Sequence, residues 1–454
     1  MTRDERRDIS YADKLSALFP DEQPREEMKI GANFTRDITF QVTEACNMAC
    51  TYCYQHNKTP DSMSFETGRK FIDLILASDE RTSCYIKSRE CPGCVIDFIG
   101  GEPLLEIDLI DQLTEYMIFE MIRLNHPWAT RFIISIGTNG LLYFTDKVQR
   151  YIRKYMGKIG INITVDGNRD IHDMCRLDLN GNPTYDRAFA AAKDWDRRIG
   201  VGRGSTKITL APTNVHMASS AVISMMQNGY ENIHINCVYE EGWQLEHAKI
   251  LYSELKKLTD FILEHPKYIT NSISILNTAI CQPASDSDLD QTYCGGLGLM
   301  LSLAPNGFIY PCLRYAPSSN PDTIKLIHIG HVDHGIGITA EEKQNIEMMR
   351  NVSMKSQYHG TQCENCPIST GCGNCPGYGY EVTGIIGART TYHCIMHQAR
   401  SLAIAYHTFK LLQAGYSDIA RPHKLYCPKE WAIPIIGASE YEYLKKMEME
   451  VIKE

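Results

Sequence analysis

Apolar and polar residues alternate in six short segments of the first two-thirds of the chain. Ile38, Phe40 and Val42 stand between polar neighbours, and this period of two predicts a β-strand. The same reasoning predicts strands over residues 95–99, 132–136, 159–165, 207–210 and 232–238. Apolar residues at helical spacing predict helices after Ser64, which suits an N-cap, and over residues 105–124 and 244–264.

Six strand–helix units in series predict an α/β fold with parallel pairing and right-handed crossovers. In parallel barrels the reacting groups gather at the carboxyl ends of the strands. Four predicted strands end in turns rich in glycine or polar residues, at positions 100–103, 137–140, 166–167 and 211–214. We therefore expect the chemistry of the protein at these turns.

The composition narrows the class of protein. The chain has 454 residues, enough for two or three domains, and 17 cysteines, more than an ordinary cytosolic enzyme needs. Its start is charged and no apolar run reaches membrane-spanning length, so we expect neither a secretion signal nor a membrane partner. A reducing, cytoplasmic location then favours metal binding over disulfides. The net charge of −9, without a basic patch, argues against a nucleic-acid partner.

Three cysteines, Cys46, Cys50 and Cys53, form a C-x3-C-x2-C loop directly after the first predicted strand. Thiolates this close suit three irons of a [4Fe–4S] cubane, and the fourth iron is left without a protein ligand. Such an iron can chelate a small molecule and pass it one electron. A zinc knuckle is the alternative, but zinc sites usually combine four ligands in paired spacings.

This loop, with Tyr52 before its last cysteine, resembles the signature of the radical S-adenosylmethionine (SAM) enzymes. The resemblance implies a partial (β/α)6 barrel and a cluster that binds SAM and cleaves it to a 5′-deoxyadenosyl radical. Gly100, Gly101 and Glu102 match the family's GGE segment. In that segment the glycines allow close approach of the ligand, and the acid accepts hydrogen bonds from the SAM ammonium group.

The run from Thr164 to Arg176 resembles the S-x-D-G…H-D-x-x-R segment of the family's peptide-modifying branch, with threonine where serine is usual. The resemblance implies that Thr164 and Asp166 face the ribose or methionine end of SAM and that Arg176 binds its carboxylate. A surface salt bridge is the alternative for Arg176. Thr138 and Asn139 either bind the ribose or form the turn that Asn-Gly favours.

A second set of residues resembles the SPASM domain, whose pattern is C-x9–15-G-x4-C, then C-x2-C-x5-C-x3-C, then one further cysteine. The matching residues are Cys294, Gly307, Cys312, Cys363, Cys366, Cys372, Cys375 and Cys394. The third gap of the second group is x2 here rather than x3. The resemblance implies two auxiliary [4Fe–4S] clusters with crossed ligation, and so three clusters in all. One would be held by Cys363, Cys366, Cys372 and Cys394, and the other by Cys294, Cys312 and Cys375. A pair of zinc sites also fits these spacings.

The set of Cys294, Cys312 and Cys375 is one ligand short. Sulfatase-maturating relatives place a cysteine six residues after the first one, where this chain has Met300. Either the cluster there is open to a substrate thiolate, or Cys281 supplies the fourth ligand. The sequence leaves both possibilities open.

Several other residues are expected to be structural. His172 is expected to be a local structural group rather than a base. The remaining cysteines are expected to be loop, packed or surface thiols: Cys84, Cys91, Cys94, Cys175, Cys237 and Cys427.

Four segments are expected along the chain: an extension at 1–33, the barrel at 34–270, the SPASM region at 271–400, and a helix with a polar tail at 401–454. The extension is too short for the winged-helix domain with which many peptide maturases bind a leader. Leader binding, if it occurs, would use another surface or a partner protein.

The leading hypothesis is a maturase of a ribosomally made, cysteine-repeat precursor peptide that forms a sulfur-to-carbon (thioether) crosslink. In this scheme the radical abstracts a substrate hydrogen, a substrate thiolate at the open auxiliary iron traps the carbon radical, and the auxiliary cluster accepts the remaining electron. Cluster ligation would lower the pKa of that thiol and hold its sulfur close. A ferredoxin or flavodoxin would supply electrons. No catalytic acid or base is assigned.

The alternatives are other maturases and one protein that is not an enzyme. Sulfatase maturases place an aspartate base directly after the second SPASM cysteine, where this chain has Leu313. A carbon–carbon or carbon–oxygen crosslinking enzyme remains an alternative, as does an epimerase with Cys237 or Cys281 as hydrogen donor. A non-catalytic electron carrier is disfavoured because it has no need of SAM-binding motifs.

Overall fold

The computed structural model describes residues 35–77, 79, 81–82, 93–200, 204–240, 242–291, 294–297, 300–373, 375–420 and 423–451. Within these ranges the strands are β1 (Thr35–Thr43), β2 (Gly93–Gly100), β3 (Phe132–Thr138), β4 (Ile159–Ile163), β5 (Ser205–Leu210), β6 (Asn232–Cys237), β7 (Ser272–Ile273), β8 (Met300–Leu303), β9 (Phe308–Tyr310), β10 (Gly330–His331) and β11 (Gly335–Ile336). All six strands predicted from the alternating pattern are present.

The helices of the described residues lie between and after these strands. They are α1 (Phe65–Ala77), α2 (Ile107–Arg123), α3 (Asp146–Tyr155), α4 (Arg169–Cys175), α5 (Tyr185–Ile199), α6 (Ala218–Gln227), α7 (Leu245–Glu264), α8 (Asp286–Leu289), α9 (Ala340–Arg350), α10 (Met354–Tyr358), α11 (Pro376–Thr383), α12 (Cys394–Gln413) and α13 (Lys429–Val451). The Ser64 hydroxyl accepts a hydrogen bond from the Thr67 backbone N–H at 3.0 Å, which confirms the predicted N-cap of α1.

The strands form two sheets. The larger has the order β11-β10-β9-β8-β1-β2-β3-β4, and the smaller has the order β5-β6-β7. β1 to β4 pair in parallel, as do β5 to β7, and β8 pairs in parallel with the other edge of β1. The mixed α/β class with a predominantly parallel sheet is confirmed, and β1 lies in the middle of the larger sheet.

The predicted series of strands is interrupted between β4 and β5. Among the described residues these two strands share no ladder, and a cavity of about 210 Å³ lies between them. They are joined at one end by side chains instead. Asp166 Oδ1 accepts from the Thr209 backbone N–H at 2.9 Å, and Thr206 Oγ1 donates to the Val165 carbonyl at 3.2 Å. Asp166, predicted to contact SAM, therefore also holds the two sheets together.

The two faces of β1 differ in chemistry. Ile38, Phe40 and Val42 are fully buried and belong to the hydrophobic core. Because successive side chains of a strand point to opposite faces, Thr39 and Gln41 lie on the inner face of the curved sheet. The inner face is therefore polar, and the core lies between the sheet and its helices.

Asp97 of β2 provides a stability test of this polar inner face. Burial and the nearby Asp37 carboxylate together raise the pKa of Asp97 to about 6, against the opposing effect of a hydrogen bond with Ser135. Between pH 3.8, the ordinary pKa of an aspartate, and about pH 6, the folded protein therefore binds more protons than the unfolded chain. Stability falls as the pH rises through this window.

We expect Asp97→Asn to raise the free energy of unfolding at pH 7.5 by about 1–2 kcal/mol and to flatten its pH dependence. Urea denaturation at several pH values measures this, with exposed Asp322→Asn as the control. A D97N protein with an unchanged pH profile would contradict the assignment.

The C-terminal region differs from the polar tail expected there. α12 begins at Cys394 rather than near residue 401, and residues 429–451 form a second helical segment with Pro434 inside it and a break at Gly437. Leu444 and Met447 of this segment are buried. The segment therefore packs against the rest of the protein. Among the described residues no helix combines the length and the apolar character needed to cross a bilayer.

Candidate active site and cluster sites

The first group of cysteines lies in a loop that leaves β1, residues 44–53, here called the cluster loop. The Cys53 backbone N–H donates to the Cys50 carbonyl at 3.2 Å, which closes the loop on itself. The Thr51 N–H donates to the Cys175 carbonyl at 3.0 Å, so the end of α4 fixes the loop from outside. Burial raises the pKa of the Cys46 and Cys50 thiols, and the neighbouring thiols of the loop add to the rise. The three cysteines predicted to bind one cluster are thus brought together.

Lys58 is a member of this site that the sequence analysis missed. The cysteines of the loop raise its pKa, Cys53 most strongly, although burial opposes the rise. A cation beside three thiols lowers the cost of their deprotonation. The signal in the sequence was only a lysine five residues after Cys53, which spacing alone does not distinguish from a surface residue.

Gly100 packs against the end of β1 and Gly101 against the cluster loop, and their role in admitting a ligand stays a prediction. A Cβ on Gly100 would lie 2.2 Å from the Thr43 carbonyl oxygen, and one on Gly101 would lie 2.3 Å from the Ala45 carbonyl oxygen. The Glu102 N–H donates to the Ala45 carbonyl at 2.8 Å. The glycines are required because the loop backbone packs directly on them.

Glu102 is buried and organises the neighbouring turn. Its carboxylate accepts hydrogen bonds from Thr138 Oγ1 at 2.6 Å and from the Asn139 N–H at 2.8 Å. Asn139 Oδ1 accepts from the Leu141 N–H at 3.0 Å, and its Nδ2 donates to Asn47 Oδ1 at 2.7 Å. These contacts favour the turn-forming role for Thr138 and Asn139, and they connect the turn to the cluster loop. Burial raises the pKa of Glu102, and its hydrogen bonds oppose the rise.

Tyr52, Asp166 and Arg176 meet at one point. The Tyr52 hydroxyl donates to Asp166 Oδ2 and accepts from Arg176 Nη1 at 3.0 Å. Asp166 is fully buried and Arg176 is 7% exposed, so the surface salt bridge considered for Arg176 is wrong. Arg176 Nε is buried without a hydrogen-bond partner among the described residues. The Thr164 N–H donates to the Thr138 carbonyl at 3.1 Å, which places Thr164 beside the turn that Glu102 organises.

His172 has the structural role expected of it. Its Nδ1 accepts from the Asp166 N–H at 3.2 Å, and its Nε2 lies 3.1 Å from Thr184 Oγ1. Burial lowers the pKa of His172 to about 3, so the ring is neutral at physiological pH. Both nitrogens are occupied by this local network.

Cys294, Cys312 and Cys375 form a second group, here called the inner trio. The Cys312 and Cys294 sulfurs would lie 3.2 and 3.6 Å from a Cβ placed on Gly296, so glycine leaves room beside these two sulfurs. Burial raises the pKa of Cys312, and Cys375 and Cys294 add to the rise. Gly307, with a φ of 86°, makes the turn that joins β8 to β9. This turn returns the chain so that Cys312 lies near Cys294.

Cys363, Cys366, Cys372 and Cys394 form a third group, here called the outer quartet. Burial raises the pKa of Cys372 to about 11 and that of Cys394 to about 12, and other members of the quartet raise both further. The grouping of thiols therefore matches the crossed arrangement that the SPASM resemblance implied.

Cys281 lies beside the outer quartet rather than the inner trio. Burial raises the pKa of Cys281 to about 12, and Cys372 and Cys366 add to the rise. Its sulfur is 3.7 Å from His397 Nε2. Of the two possibilities for the inner trio, this position favours an open fourth ligand site over closure by Cys281.

Tyr54 and Arg314 connect the cluster loop to the inner trio, and the sequence analysis missed this connection. Tyr54 follows Cys53 and lies within electrostatic reach of Cys312 and Cys375. The Arg314 guanidinium lies 4.7 Å from the centre of the Tyr54 ring. Two carboxylates hold Arg314, with distances of 2.6 Å to Glu240 and 3.1 Å to Glu381. These two ion pairs fix the Arg314 guanidinium between the barrel, which supplies Glu240, and the cysteine-rich region, which supplies Glu381.

The remaining cysteines are structural where the structure describes them. Cys94 lies in β2 and is fully buried, rather than in a loop before it, while Cys84 and Cys91 lie outside the described residues. Cys175 and Cys427 are buried, and Cys237 is half-buried at the end of β6.

Each of the three candidate ligand groups consists of cysteine side chains alone. In the described part of the chain, no three His, Cys, Asp or Glu side chains are close enough to bind one metal ion. Cysteine thiolates are the ligands of iron–sulfur clusters, so the donor chemistry of the three groups fits such clusters.

Comparison with solved structures shows the class of fold. The structure of native anSMEcpe with bound AdoMet and the Kp18Cys peptide covers 85% of this chain and all of that chain, at 17% identity and a TM-score of 0.58. Streptococcus suis SuiB bound to S-adenosylmethionine covers 79% of this chain and 77% of its own, at 12% identity and a TM-score of 0.52. The chain has the fold of these radical SAM enzymes.

Curated sequences give a second comparison. An uncharacterised protein of Methanocaldococcus jannaschii is 28% identical over 241 residues, which is 52% of this chain and 74% of that protein. The cysteine-type anaerobic sulfatase-maturating enzyme of Clostridium perfringens is 26% identical over 155 residues, 33% of this chain and 38% of the enzyme. The serine-type enzyme of Bacteroides thetaiotaomicron is 28% identical over 151 residues, 32% of each chain. The matches to the sulfatase-maturating enzymes thus span little more than a third of those proteins. No family profile matches the chain.

Proposed function

We propose that this protein is a radical SAM maturase that joins a cysteine sulfur to a carbon atom of a ribosomally made peptide. Bound at Cys46, Cys50 and Cys53, a reduced [4Fe–4S] cluster would cleave SAM and so supply the radical that removes a substrate hydrogen. The observation that carries the proposal is the meeting of a three-cysteine cluster loop and a three-cysteine inner trio, joined through Tyr54 and Arg314.

The residues around the cluster loop suit SAM. Arg176 has a buried Nε without a partner among the described residues, which is a donor available to the SAM carboxylate. Tyr52 and Asp166 orient that guanidinium, because the phenol accepts from it and donates to the carboxylate. Glu102 positions the turn at Thr138 and Asn139, and it retains spare acceptor capacity for the SAM ammonium group.

The inner trio supports the sulfur-to-carbon reaction in particular. Three cysteines leave one iron of a cubane without a protein ligand, and Cys281 lies beside Cys372 and Cys366 of the outer quartet instead. A substrate thiol bound there would have a lowered pKa and a fixed sulfur. The outer quartet would hold the third cluster.

Sulfatase maturation is the second candidate, because curated relatives carry that name. Against it, the position directly after Cys312 holds the buried, apolar Leu313, which cannot act as a base. The carboxylates of this region, Glu240 and Glu381, are both engaged by Arg314.

The experiment is anaerobic reconstitution with iron, sulfide, SAM, a flavodoxin as electron donor and a cysteine-rich peptide encoded beside the gene. Thioether formation would lower the peptide mass by two hydrogens, one leaving with deoxyadenosine and one as the thiol proton. An unchanged mass with deuterium uptake from solvent would indicate an epimerase. A formylglycine product from a sulfatase peptide would favour the second candidate.

Met300→Cys tests the open site directly. Because this position is where relatives with a closed inner site have a cysteine, the variant should supply the missing ligand. We expect crosslinking to fall about 100-fold, because the new cysteine would occupy the iron to which the substrate sulfur binds. Deoxyadenosine release should be retained. Mass spectrometry and chromatography measure the two products. Met300→Leu, of similar volume, should retain crosslinking. Equal crosslinking by M300C and M300L would contradict an open inner site.

A further inference from the structure

Arg389 differs from the other half-buried arginines of the cysteine-rich region. Arg314 is held by two carboxylates, and Arg400 donates to the carbonyls of Ile275, Ser274 and Gly371 at 2.6–3.3 Å. Arg389 Nε and Nη1 are buried with no hydrogen-bond partner among the described residues. Leaving two guanidinium N–H groups unpaired inside a protein is costly, and such a group calls for an explanation.

The group that Arg389 does contact is a thiol of the outer quartet. Its Nη2 donates to Cys372 Sγ at 3.4 Å. It opposes the burial-driven rise in the pKa of Cys366, Cys372 and Cys394. The positive charge of Arg389 therefore acts on several thiols of the outer quartet, and not on Cys372 alone.

Tyr358 holds this guanidinium in place. Its ring centre lies 4.7 Å from the Arg389 guanidinium carbon. Burial raises the pKa of Tyr358 to about 12, and Cys372, Cys363 and Cys366 raise it further, so the ring also borders the quartet. The attraction between the cation and the aromatic face favours this position of the planar guanidinium.

We propose that Arg389 is a positioning residue of the outer site, whose guanidinium donates to the sulfurs of the cluster held there and raises its reduction potential. This inference rests on the proposed function for the existence of that cluster. Four thiolates give a cubane a net negative charge that grows on reduction. Potentials of iron–sulfur clusters are set by net charge and by hydrogen bonds to sulfur, so a nearby cation favours the reduced form.

The test is a redox titration of the reconstituted full-length protein, followed by EPR. We expect Arg389→Gln to lower the equilibrium constant for one-electron reduction of one cluster by tenfold or more, a shift of about 59 mV to more negative potential. Arg389→Lys keeps the charge but not the planar fork, so its shift should be smaller. Lys355→Gln removes an exposed charge of α10 and should shift nothing.

The outcomes separate this inference from the function on which it rests. A wild-type protein without auxiliary clusters by Mössbauer spectroscopy would overturn the proposed cofactor set. Auxiliary clusters present, with R389Q and R389K titrating like the wild type, would overturn the role of Arg389 alone. If R389Q loses the iron of the outer site, its potential cannot be measured, and the potential of the R389K cluster then tests the inference. A wild-type potential in R389K would overturn the inference, and an intermediate negative shift would support it.

Discussion

Replacing Cys46, Cys50 and Cys53 together by alanine should reduce the release of 5′-deoxyadenosine from SAM to background. The three thiols are brought together by the loop that leaves β1, and no other group of cysteines lies beside Tyr52, Asp166 and Arg176 among the described residues. Without them the cluster at the SAM site has no ligands. Chromatography of the reaction products measures the loss, and Mössbauer spectroscopy should show the auxiliary clusters retained.

The control for this triple variant is Cys94→Ala. Cys94 is fully buried in β2 and belongs to the hydrophobic core, so its loss should cost about 1 kcal/mol of stability without affecting SAM cleavage. Deoxyadenosine release by the triple variant at the wild-type rate would refute the assignment of the SAM site.

Gly101→Ala should have a comparable effect on activity without removing any ligand. The new Cβ would lie 2.3 Å from the Ala45 carbonyl oxygen and 2.5 Å from that of Glu44, distances that real Cβ atoms do not occupy. Both contacts are backbone atoms, so the cluster loop must move. We expect a loss of 1–3 kcal/mol in stability, roughly the usual range for overpacking. We also expect about a 100-fold loss in SAM cleavage, because a displacement of an ångström disturbs reacting groups to that degree.

Gly160→Ala is the matched control for this variant. Gly160 lies near the start of β4, away from the carboxyl ends of the strands, and a Cβ there would lie 3.9 Å from the Ile134 carbonyl oxygen, an ordinary contact. It should retain stability and cleavage, as measured by thermal unfolding and by the deoxyadenosine assay. If G101A also retains both its stability and its SAM cleavage, close packing on the cluster loop is not the reason that glycine is required at this position.

The parts of the site that the sequence predicted are those encoded by local patterns. The alternation around Phe40 predicts β1, and the period of two also predicts where the strands deliver Cys46 and Glu102. The resemblance to the SPASM domain, rather than spacing, implied the division into the inner trio and the outer quartet. The strand alternation and the C-x3-C-x2-C spacing each lie within about ten residues, and local pattern is what sequence reasoning interprets best.

The features that the sequence did not predict depend on long-range contacts. Arg314 and Tyr54 are 260 positions apart in the numbering, and nothing in either neighbourhood signals that they stack. Cys281 was one of two possibilities for completing the inner trio, and only its position beside His397 and the outer quartet disfavours it. The packing of Gly101 on the cluster loop was not predicted, because the loop backbone carries no side-chain signature.

The strand β8 carries a consequence for how such enzymes can be rebuilt. It belongs to the segment after residue 270, yet it pairs with β1, whose other side pairs with β2. The larger sheet therefore contains strands from both sides of the boundary expected near residue 270. A barrel truncated there would lose β8 and expose the unpaired edge of β1, and such an edge is a template for aggregation. Any foreign auxiliary module grafted onto this barrel would have to bring a strand of its own to replace β8.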